Sequence, residues 1–371
     1  MTVLLTGASG FLGWHIRCRA AAAGIEVLPA SKGWVDDPRV VDSLLSGVTG
    51  VIHAAGVNRG TDDEVATGNE RAGGALAEAL NRAGRNIVVV YANSSQAGSS
   101  SVYGRAKARV ADVLSEAGTA SSVFFDVRLD NLFGEHGRPD YNSFVATFCD
   151  RLACGRTFDV VDREVPLLHV QEAARHLLEL VTSADPRSVV APSATVATVS
   201  EVARFLSMCA STYRTGEIPP IHRPIERQLF STLRSFCFPS WYPIATSPKS
   251  DVRGRLVECV RARTPEGQTF VSTTIPGATR GEHYHLRKLE RFMVVEGEAT
   301  ISLRRLFSDE VIRFNVSGSE PAMIDMPCMW THKIQNTGSE VVTTLFWTDE
   351  LFDPSSADTH PCPVDSSELS S

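Results

Sequence analysis

Three histidines and one glutamate in the last third of the chain have the types and spacing of metal ligands. His283 and His285 are separated by one tyrosine, and in a β-strand alternate side chains point to the same face. Glu290 follows shortly after, and His332 lies in the later stretch IDMPCMWTHKIQN. Imidazole and carboxylate groups together suit a divalent cation, zinc above all. We therefore predict that these four residues hold a metal with either a catalytic or a structural role.

The segments that carry these ligands have the pattern of an all-β domain. After residue 243, short alternating runs are separated by Gly, Asn and Pro, which predicts an antiparallel barrel or sandwich. The spacing G-x5-H-x-H-x4-E-x6-G, followed by P-x4-H-x3-N, resembles the two motifs of the cupins. The resemblance implies a small double-stranded β-helix barrel. We predict one domain over 1–243 and a cupin domain over 244–371.

A second set of chemically competent residues lies near residue 100. Tyr103 and Lys107 are four residues apart in a predicted helix, so they share one face. Lys107 can lower the pKa of the phenol and hold a nicotinamide ribose. Ser94 ends the preceding apolar strand and can position a substrate carbonyl, with Ser95 as the alternative. The trio resembles the catalytic residues of extended short-chain dehydrogenases/reductases, and the resemblance implies an α/β Rossmann-like, NAD(P)-binding fold for residues 1–243.

The N-terminus predicts the cofactor site that such a trio needs. Gly7, Gly10 and Gly13 stand between a short strand and a helix, where glycines let the backbone approach a pyrophosphate. The next strand ends at Ser31 and Lys32, which suit a 2′-phosphate, so we expect NADPH rather than NADH. The predicted cofactor contacts are Gly7, Ser9, Gly10, Phe11, Leu12, Gly13, Ser31, Lys32, Ala54, Ala55, Gly56, Tyr103 and Lys107.

Substrate contacts are expected beyond the strand that ends near residue 129. In the nucleotide-sugar branch of the superfamily that the chain resembles, the segment containing Asn131 opens the substrate half of the fold. Tyr141 and Asn142 follow in a loop, where substrate contacts are common. Arg163 is a candidate for binding a diphosphate, and an exposed arginine without such a role is an equal alternative.

Composition excludes several classes of partner. The 371 residues have a formal net charge of −7 and no dense run of Lys or Arg, so neither nucleic acid nor an anionic membrane is expected as a partner. Eight scattered cysteines without a C-x-x-C pair predict reduced thiols. With no apolar run of membrane-spanning length and no signal peptide, the pattern predicts a cytoplasmic protein.

The two halves in this order resemble the bifunctional capsular-polysaccharide enzymes of the CapF type. The resemblance extends over uncommon stretches such as PGATRGEHYH, DMPCMWTHKIQN and FWTDELFDPSSADT. It implies that the cupin domain epimerises C3 of a UDP-4-keto-6-deoxy-N-acetylhexosamine. The reductase domain then reduces C4 with NADPH to a UDP-2-acetamido-2,6-dideoxy-L-talose type product. It also implies a homodimer or a higher homo-oligomer.

Three points remain open at the level of sequence. The base for the epimerisation is one of His360, Tyr284 and Lys288. One alternative function is a single-activity nucleotide-4-ketosugar reductase with a structural cupin. The other is a non-catalytic dinucleotide-sensing scaffold, which retention of Tyr103 and Lys107 argues against.

Overall fold

The structure of the protein is a computed structural model. It describes residues 2–119, 122–183, 185, 189–251, 254–263, 267–351 and 353–365. The chain forms two compact units, one of 1–133 with 164–197 and the other of 134–163 with 198–371. The predicted domain boundary at residue 243 stays a prediction, and the last six residues of the predicted cupin domain lie outside the described part.

The first unit contains a five-stranded parallel sheet. Its order is β2-β1-β3-β4-β5, so the chain reverses direction across the sheet between β1 and β3. The strands are β1 (Thr2–Thr6), β2 (Glu26–Pro29), β3 (Gly50–His53), β4 (Val88–Ser94) and β5 (Val123–Leu129). A smaller sheet of order β6-β7-β8 follows, made of β6 (Asn131–Phe133), β7 (Glu164–His169) and β8 (Thr195–Thr198). The helices are α1 (Phe11–Ala22), α2 (Pro38–Leu45), α3 (Asp62–Ala83), α4 (Val102–Ser115) and α6 (Val170–Thr182), with a 3-10 turn at Trp34–Asp36.

Both faces of the parallel sheet are buried under helices. Val3 and Leu5 of β1 point into one core with residues of α1 and α6, whereas Leu4 points into the other with residues of α2, α3 and α4. This alternation follows from the two-residue period of a strand. The doubly wound sheet confirms the predicted Rossmann-like fold.

The second unit combines helices with a β-rich part. Its helices are α5 (Phe144–Ala153), α7 (Val199–Arg214) and α8 (Pro224–Cys237). Its short strands are β9 (Glu217–Ile218), β10 (Ile244–Ala245), β11 (Lys249–Asp251), β12 (Gly254–Leu256), β13 (Arg261–Ala262) and β22 (His360–Pro361). Its longer strands are β14 (Gln268–Thr274), β15 (Thr279–Tyr284), β16 (Glu290–Glu296), β17 (Glu298–Arg305), β18 (Val311–Ser317), β19 (Ala322–Met326), β20 (Trp330–Asn336) and β21 (Val342–Thr348).

Most of these strands form two five-stranded sheets. Their orders are β10-β19-β16-β21-β14 and β18-β17-β20-β15-β22, and every strand pair within them is antiparallel. This arrangement confirms the all-β architecture predicted for the C-terminal part. Among the described residues, none of the helices combines the length and the apolar character needed to cross a membrane.

Candidate functional sites

The glycine-rich turn after β1 lies where the order of the parallel sheet reverses, which is the usual place for a ligand in doubly wound folds. Gly7 has a φ of +72°, and a Cβ there would lie 2.7 Å from the backbone of Ala54 and Ala55. A Cβ on Gly13 would lie 2.1 Å from the carbonyl oxygen of Gly7. Only glycine therefore permits this close approach of β1, β3 and α1. Since α1 has no side-chain cap, its first amides are available to a phosphate.

The other predicted cofactor residues surround this turn. Asn69 on α3 holds the loop after β3: its Nδ2 donates to Val57 O at 2.6 Å, and its Oδ1 leaves no room for a Cβ on Gly56. Asn69 thus shapes a predicted cofactor segment, although the sequence alone assigned it no role. Ser31 and Lys32 follow β2 and are both exposed. Both side chains are therefore accessible to a ligand at the carboxyl end of the strand, where the adenosine ribose lies in such folds.

The predicted catalytic trio comes together on β4 and α4. Ser101 caps the helix through its hydroxyl, which accepts from Gly104 N at 2.9 Å and places Tyr103 in the first turn. The phenol of Tyr103 hydrogen-bonds the side chain of Ser94. Ser95 is exposed, and its amide donates to Leu129 O, so the geometry favours Ser94 over Ser95.

The electrostatics of this trio differ from the expectation. Burial raises the pKa of Tyr103, and the hydrogen bond with Ser94 opposes that rise. The buried Nζ of Lys107 donates to Ala92 O at 3.0 Å and lies 4.2 Å from the centre of the Tyr91 ring. Burial lowers the pKa of Lys107 to about 7, although the nearby carboxylate of Asp126 favours the charged form.

The four predicted substrate residues are divided between the units. Asn131 belongs to the first unit, and its Nδ2 donates to Pro166 O at 3.1 Å. Tyr141, Asn142 and Arg163 belong to the second unit, in segments without regular structure. The ring of Tyr141 stacks under the Arg138 guanidinium at 5.0 Å. Their roles in substrate binding stay predictions.

The four predicted metal ligands converge in the β-rich part of the second unit. One ligand atom from each of His283, His285, Glu290 and His332 lies within 4.8 Å of the others. His283 of β15 pairs directly with His332 of β20, so both imidazoles point to one face. Glu290 begins β16 and meets them from the other sheet, with its Oε2 3.0 Å from His285 Nε2 and 3.3 Å from His332 Nε2.

The hydrogen bonds of this cluster test whether a cation fits it. His285 Nδ1 donates to the carbonyl oxygen of Asp358, so its Nε2 is the ring nitrogen that faces the cluster. That nitrogen lies 3.0 Å from the Glu290 carboxylate. His332 Nε2 is fully buried and has no hydrogen bond of good geometry within the described residues. A divalent cation between these atoms satisfies all of them, and the residues therefore fit a metal.

Burial also determines the charge of the cluster. Desolvation, helped by the neighbouring imidazoles, lowers the pKa of His283 to about 3. Burial likewise lowers the pKa of His332. Burial opposes ionisation of Glu290, but the imidazoles that contact it keep its pKa well below the usual range. One carboxylate with three imidazoles is a donor set typical of zinc sites.

A cleft of about 470 Å³ is lined by neighbours of the ligands in the sheet and in the chain, though by none of the four ligands themselves. Thr348 lines it and is the cross-strand partner of Glu290, so the two side chains share one face of the sheet. Lys288 also lines the cleft, whereas Tyr284 and His360 pair with each other one residue out of phase with His283. Alternation therefore turns both away from the ligand face. Of the three candidate bases, Lys288 is the one placed at the cleft.

Two aspartates that the sequence did not single out contact the segment between His285 and Glu290. They are Asp349 and Asp358, both buried. Their only signal in the sequence was the acidic stretch DELFDPSSAD after the last long strand. No spacing rule relates that stretch to His285, more than sixty residues earlier.

Comparison with known proteins is decisive for the family. The model of the NAD dependent epimerase/dehydratase family matches residues 3–191, and that of the polysaccharide biosynthesis C-terminal domain matches 249–360. The chain belongs to the NAD-dependent epimerase/dehydratase family. Its CapF-type resemblance is confirmed along nearly the whole length of the chain.

Two relatives that match nearly the whole chain support the resemblance to the CapF type. A curated UDP-2-acetamido-2,6-beta-L-arabino-hexul-4-ose reductase of Pseudomonas aeruginosa is 30% identical over 372 residues, covering 98% of this chain and 99% of the relative. The crystal structure of the capsular polysaccharide assembling protein CapF from Staphylococcus aureus is 26% identical, with a TM-score of 0.58 over 98% of this chain and 100% of that one. RMD of Pseudomonas aeruginosa complexed with NADPH is 18% identical, with a TM-score of 0.54, and covers 64% of this chain and 98% of its own. That last likeness shows the fold alone.

Proposed function

We propose that this member of the epimerase/dehydratase family is a bifunctional nucleotide-sugar enzyme of polysaccharide or glycoconjugate biosynthesis. Its β-rich domain epimerises C3 of a UDP-4-keto-6-deoxy-N-acetylhexosamine, and its α/β domain reduces C4 to a UDP-2-acetamido-2,6-dideoxy-L-talose type product. The observation that carries the proposal is the presence of two buried reactive sites in one chain. One is the Ser94–Tyr103 pair with Lys107, and the other is the cluster around Glu290.

The reducing site acts through a proton at Tyr103. The sugar 4-ketone accepts a hydrogen bond from Ser94 and receives the phenolic proton of Tyr103 on its oxygen. NADPH, when bound at the glycine turn, supplies the hydride. Lys107 lies on the same helix face as Tyr103 and holds the nicotinamide ribose once its Nζ leaves Ala92 O. The exposed Lys32 favours the 2′-phosphate of NADPH.

The epimerising site makes use of the same ketone. A proton at C3 is acidic because the adjacent C4 carbonyl can accept the negative charge as an enolate. His283, His285, Glu290 and His332 would hold a divalent metal, which supplies Lewis acidity to a carbonyl oxygen when bound. Lys288 at the cleft removes or returns the C3 proton.

A second candidate function is a single-activity 4-ketosugar reductase whose β-rich domain is structural. The name of the Pseudomonas aeruginosa relative, which mentions reduction only, favours it. In that case the metal cluster would stabilise the fold and would leave the C3 proton untouched. A dinucleotide-sensing scaffold is disfavoured, because such a protein does not need a phenol bonded to Ser94.

The decisive experiment follows both reactions in one preparation. The protein is incubated in deuterium oxide with a UDP-4-keto-6-deoxy-N-acetylhexosamine, and C3 deuteration is read by NMR without NADPH. NADPH oxidation is then read by absorbance. We expect both reactions in the zinc-loaded protein, and only NADPH oxidation after metal removal or in the His332→Ala variant. C3 exchange that survives both treatments would reject the metal-assisted step. No C3 exchange in the zinc-loaded protein would leave the single-activity reductase as the better description, and no NADPH oxidation would restore the scaffold.

A further inference from the structure

The segment Leu286–Leu289 joins two of the clustered ligands and has no regular secondary structure. All four of its backbone amides donate to aspartate side chains. Asp358 accepts from Leu286 N at 3.0 Å, from Arg287 N at 2.8 Å and from Lys288 N at 2.9 Å. Asp349 accepts from Leu289 N at 2.9 Å. The segment, which we call the ligand connector, is therefore held along its whole length by two carboxylates.

Asp358 also contacts a clustered histidine directly. Its carbonyl oxygen accepts from His285 Nδ1, which turns the opposite nitrogen toward Glu290. Its carboxylate accepts from His360 Nε2 at 3.2 Å, and the residue is only 3% exposed. A buried carboxylate that receives several N–H groups is strongly held, since each such bond is charge-assisted. Asp358 thus determines both the ring orientation of His285 and the path of the chain that leaves it.

Asp349 anchors the other end of the ligand connector. Its second carboxylate oxygen pairs with Arg227 of α8, and its amide donates to Leu289 O at 3.2 Å. The connector is therefore attached to a helix of the same unit as well as to the strands. Its position immediately before Glu290 leaves the glutamate little freedom to move away from the histidines.

We propose that Asp358, assisted by Asp349, is the positioning residue of the metal site. This inference rests on the proposed metal binding by the cluster. Metal affinity depends on the separation and orientation of His285 and Glu290, and the ligand connector that sets both has no helical or sheet hydrogen bonds of its own. Without the Asp358 carboxylate three adjacent amides lose their acceptor, and the connector can adopt other paths. The metal would then have to order it at the moment of binding, at a cost in affinity.

The test compares Asp358→Asn with Asp353→Asn in the full chain. Asn keeps the size of the side chain but replaces one acceptor oxygen by an NH2 group that faces backbone donors. Asp353 lines the same cleft and is exposed, and its carboxylate accepts from the amide and hydroxyl of Ser355, which makes it a matched control. Zinc dissociation constants are measured by competition with a chelating dye, and cobalt-substituted protein reports ligand geometry through its visible spectrum. We expect zinc affinity to fall about 10–100-fold and the cobalt spectrum to change in Asp358→Asn only.

Equal zinc affinities and equal cobalt spectra in the two variants would overturn the inference. If Asp358→Asn is not obtained folded, as judged by circular dichroism of the metal-free protein, Asp358→Glu decides in its place, because one added methylene misplaces the carboxylate without removing its charge. The inference and the proposed function fail separately. Loss of zinc in Asp358→Asn, together with zinc-independent C3 exchange in the unmodified chain, would keep the first and reject the second.

Discussion

The two candidate sites differ in how their reactive groups are held. In the first unit, Ser94, Tyr103 and Lys107 are carried by one strand and one helix that are close in sequence, and regular hydrogen bonding places them. In the second, His332 comes from a strand far from the other three ligands in sequence, and His285 depends on an irregular segment containing Asp358. In the first unit, correct folding of that strand and helix is nearly sufficient to position the reactive groups. The second needs a surrounding network, and it should be more sensitive to distant substitutions.

Their charges differ in the same way. The reducing site contains a buried lysine whose positive charge is only partly compensated by Asp126. The cluster in the second unit contains a buried carboxylate, Glu290, whose pKa is held well below its usual range. The first arrangement suits a site that must bind an anionic cofactor and transfer a proton, and the second suits a site that holds a cation.

Replacement of Tyr103 by Phe tests whether the two sites are chemically independent. The variant lacks the proton that the reduced carbonyl needs, so NADPH oxidation should fall by about 10²–10⁴-fold. C3 deuterium exchange should be unchanged, because the phenol belongs to the other unit. Both rates are measured in the same preparation. A parallel fall in exchange would show that the sites do not act separately.

Replacement of Arg291 by Met tests how sensitive the second unit is to its buried network. Arg291 Nε donates to Asp325 Oδ1 at 2.6 Å, and both side chains are almost fully buried. Tyr213 and Arg234 contact the same carboxylate. Loss of one partner leaves a buried charge incompletely paired, so the free energy of unfolding in urea should fall by about 3 kcal/mol.

The control for that measurement is Arg313→Met in the same unit. Arg313 pairs with Asp365 at 3.7 Å, and both side chains are more than half exposed. Its loss should change the free energy of unfolding by less than about 1 kcal/mol. Similar losses in the two variants would mean that the buried network contributes no more than a surface ion pair.

The buried lysine of the first unit predicts an unusual pH dependence of stability. Burial lowers the pKa of Lys107 from 10.5 to about 7. Between these pH values the Lys107 side chain is protonated in the unfolded chain and deprotonated in the folded chain, so the free energy of unfolding increases with pH. Below pH about 7 Lys107 is protonated in both states, and the free-energy cost of burying its charge is then largest. Lys107→Met should therefore be most stabilised relative to the unmodified chain at low pH.

Urea unfolding from pH about 6 to about 10 measures this effect. The difference in the free energy of unfolding between Lys107→Met and the unmodified chain should become smaller as the pH rises above about 7. Lys32→Met removes an exposed lysine from the same unit and serves as the control. A difference that does not vary with pH would mean that Lys107 titrates in the folded chain as it does in the unfolded one.

The smallest expected effect concerns cofactor choice at the first site. Lys32→Ala removes a cation at the carboxyl end of β2. A charge-assisted bond to an exposed phosphate contributes about 1.5 kcal/mol, so NADPH should bind roughly tenfold more weakly. NADH affinity, measured by the same fluorescence titration, is the internal control and should not change. An equal loss for both cofactors would place Lys32 away from the 2′-phosphate.

Much of the first unit could be predicted from the chain because its signals are local. The glycines after β1, the serine at the end of β4 and the Tyr103–Lys107 pair each act through neighbours a few residues away. The same locality explains what the sequence could not settle in this unit. The effect of Lys107 on the Tyr103 pKa depends on where its Nζ points, and in the structure Nζ donates to the carbonyl oxygen of Ala92.

In the second unit only part of the site was accessible to such reasoning. The types and spacing of His283, His285 and Glu290 predicted a ligand set, since the two-residue period of a strand is enough to place imidazoles on one face. The role of Asp358 was not accessible, because its three amide donors come from a loop some seventy residues earlier.

The amino-acid sequence by itself determined the order of strands and helices, the residues able to do chemistry, and the family to which the chain belongs. Tertiary structure alone decided which distant carboxylates hold the ligand connector, which nitrogen of His285 faces Glu290, and which candidate base lies at the cleft. The physical reason is the separation in sequence between the groups that interact. Secondary structure follows from contacts over a few residues, whereas the position of a buried charge depends on every group that folding brings beside it.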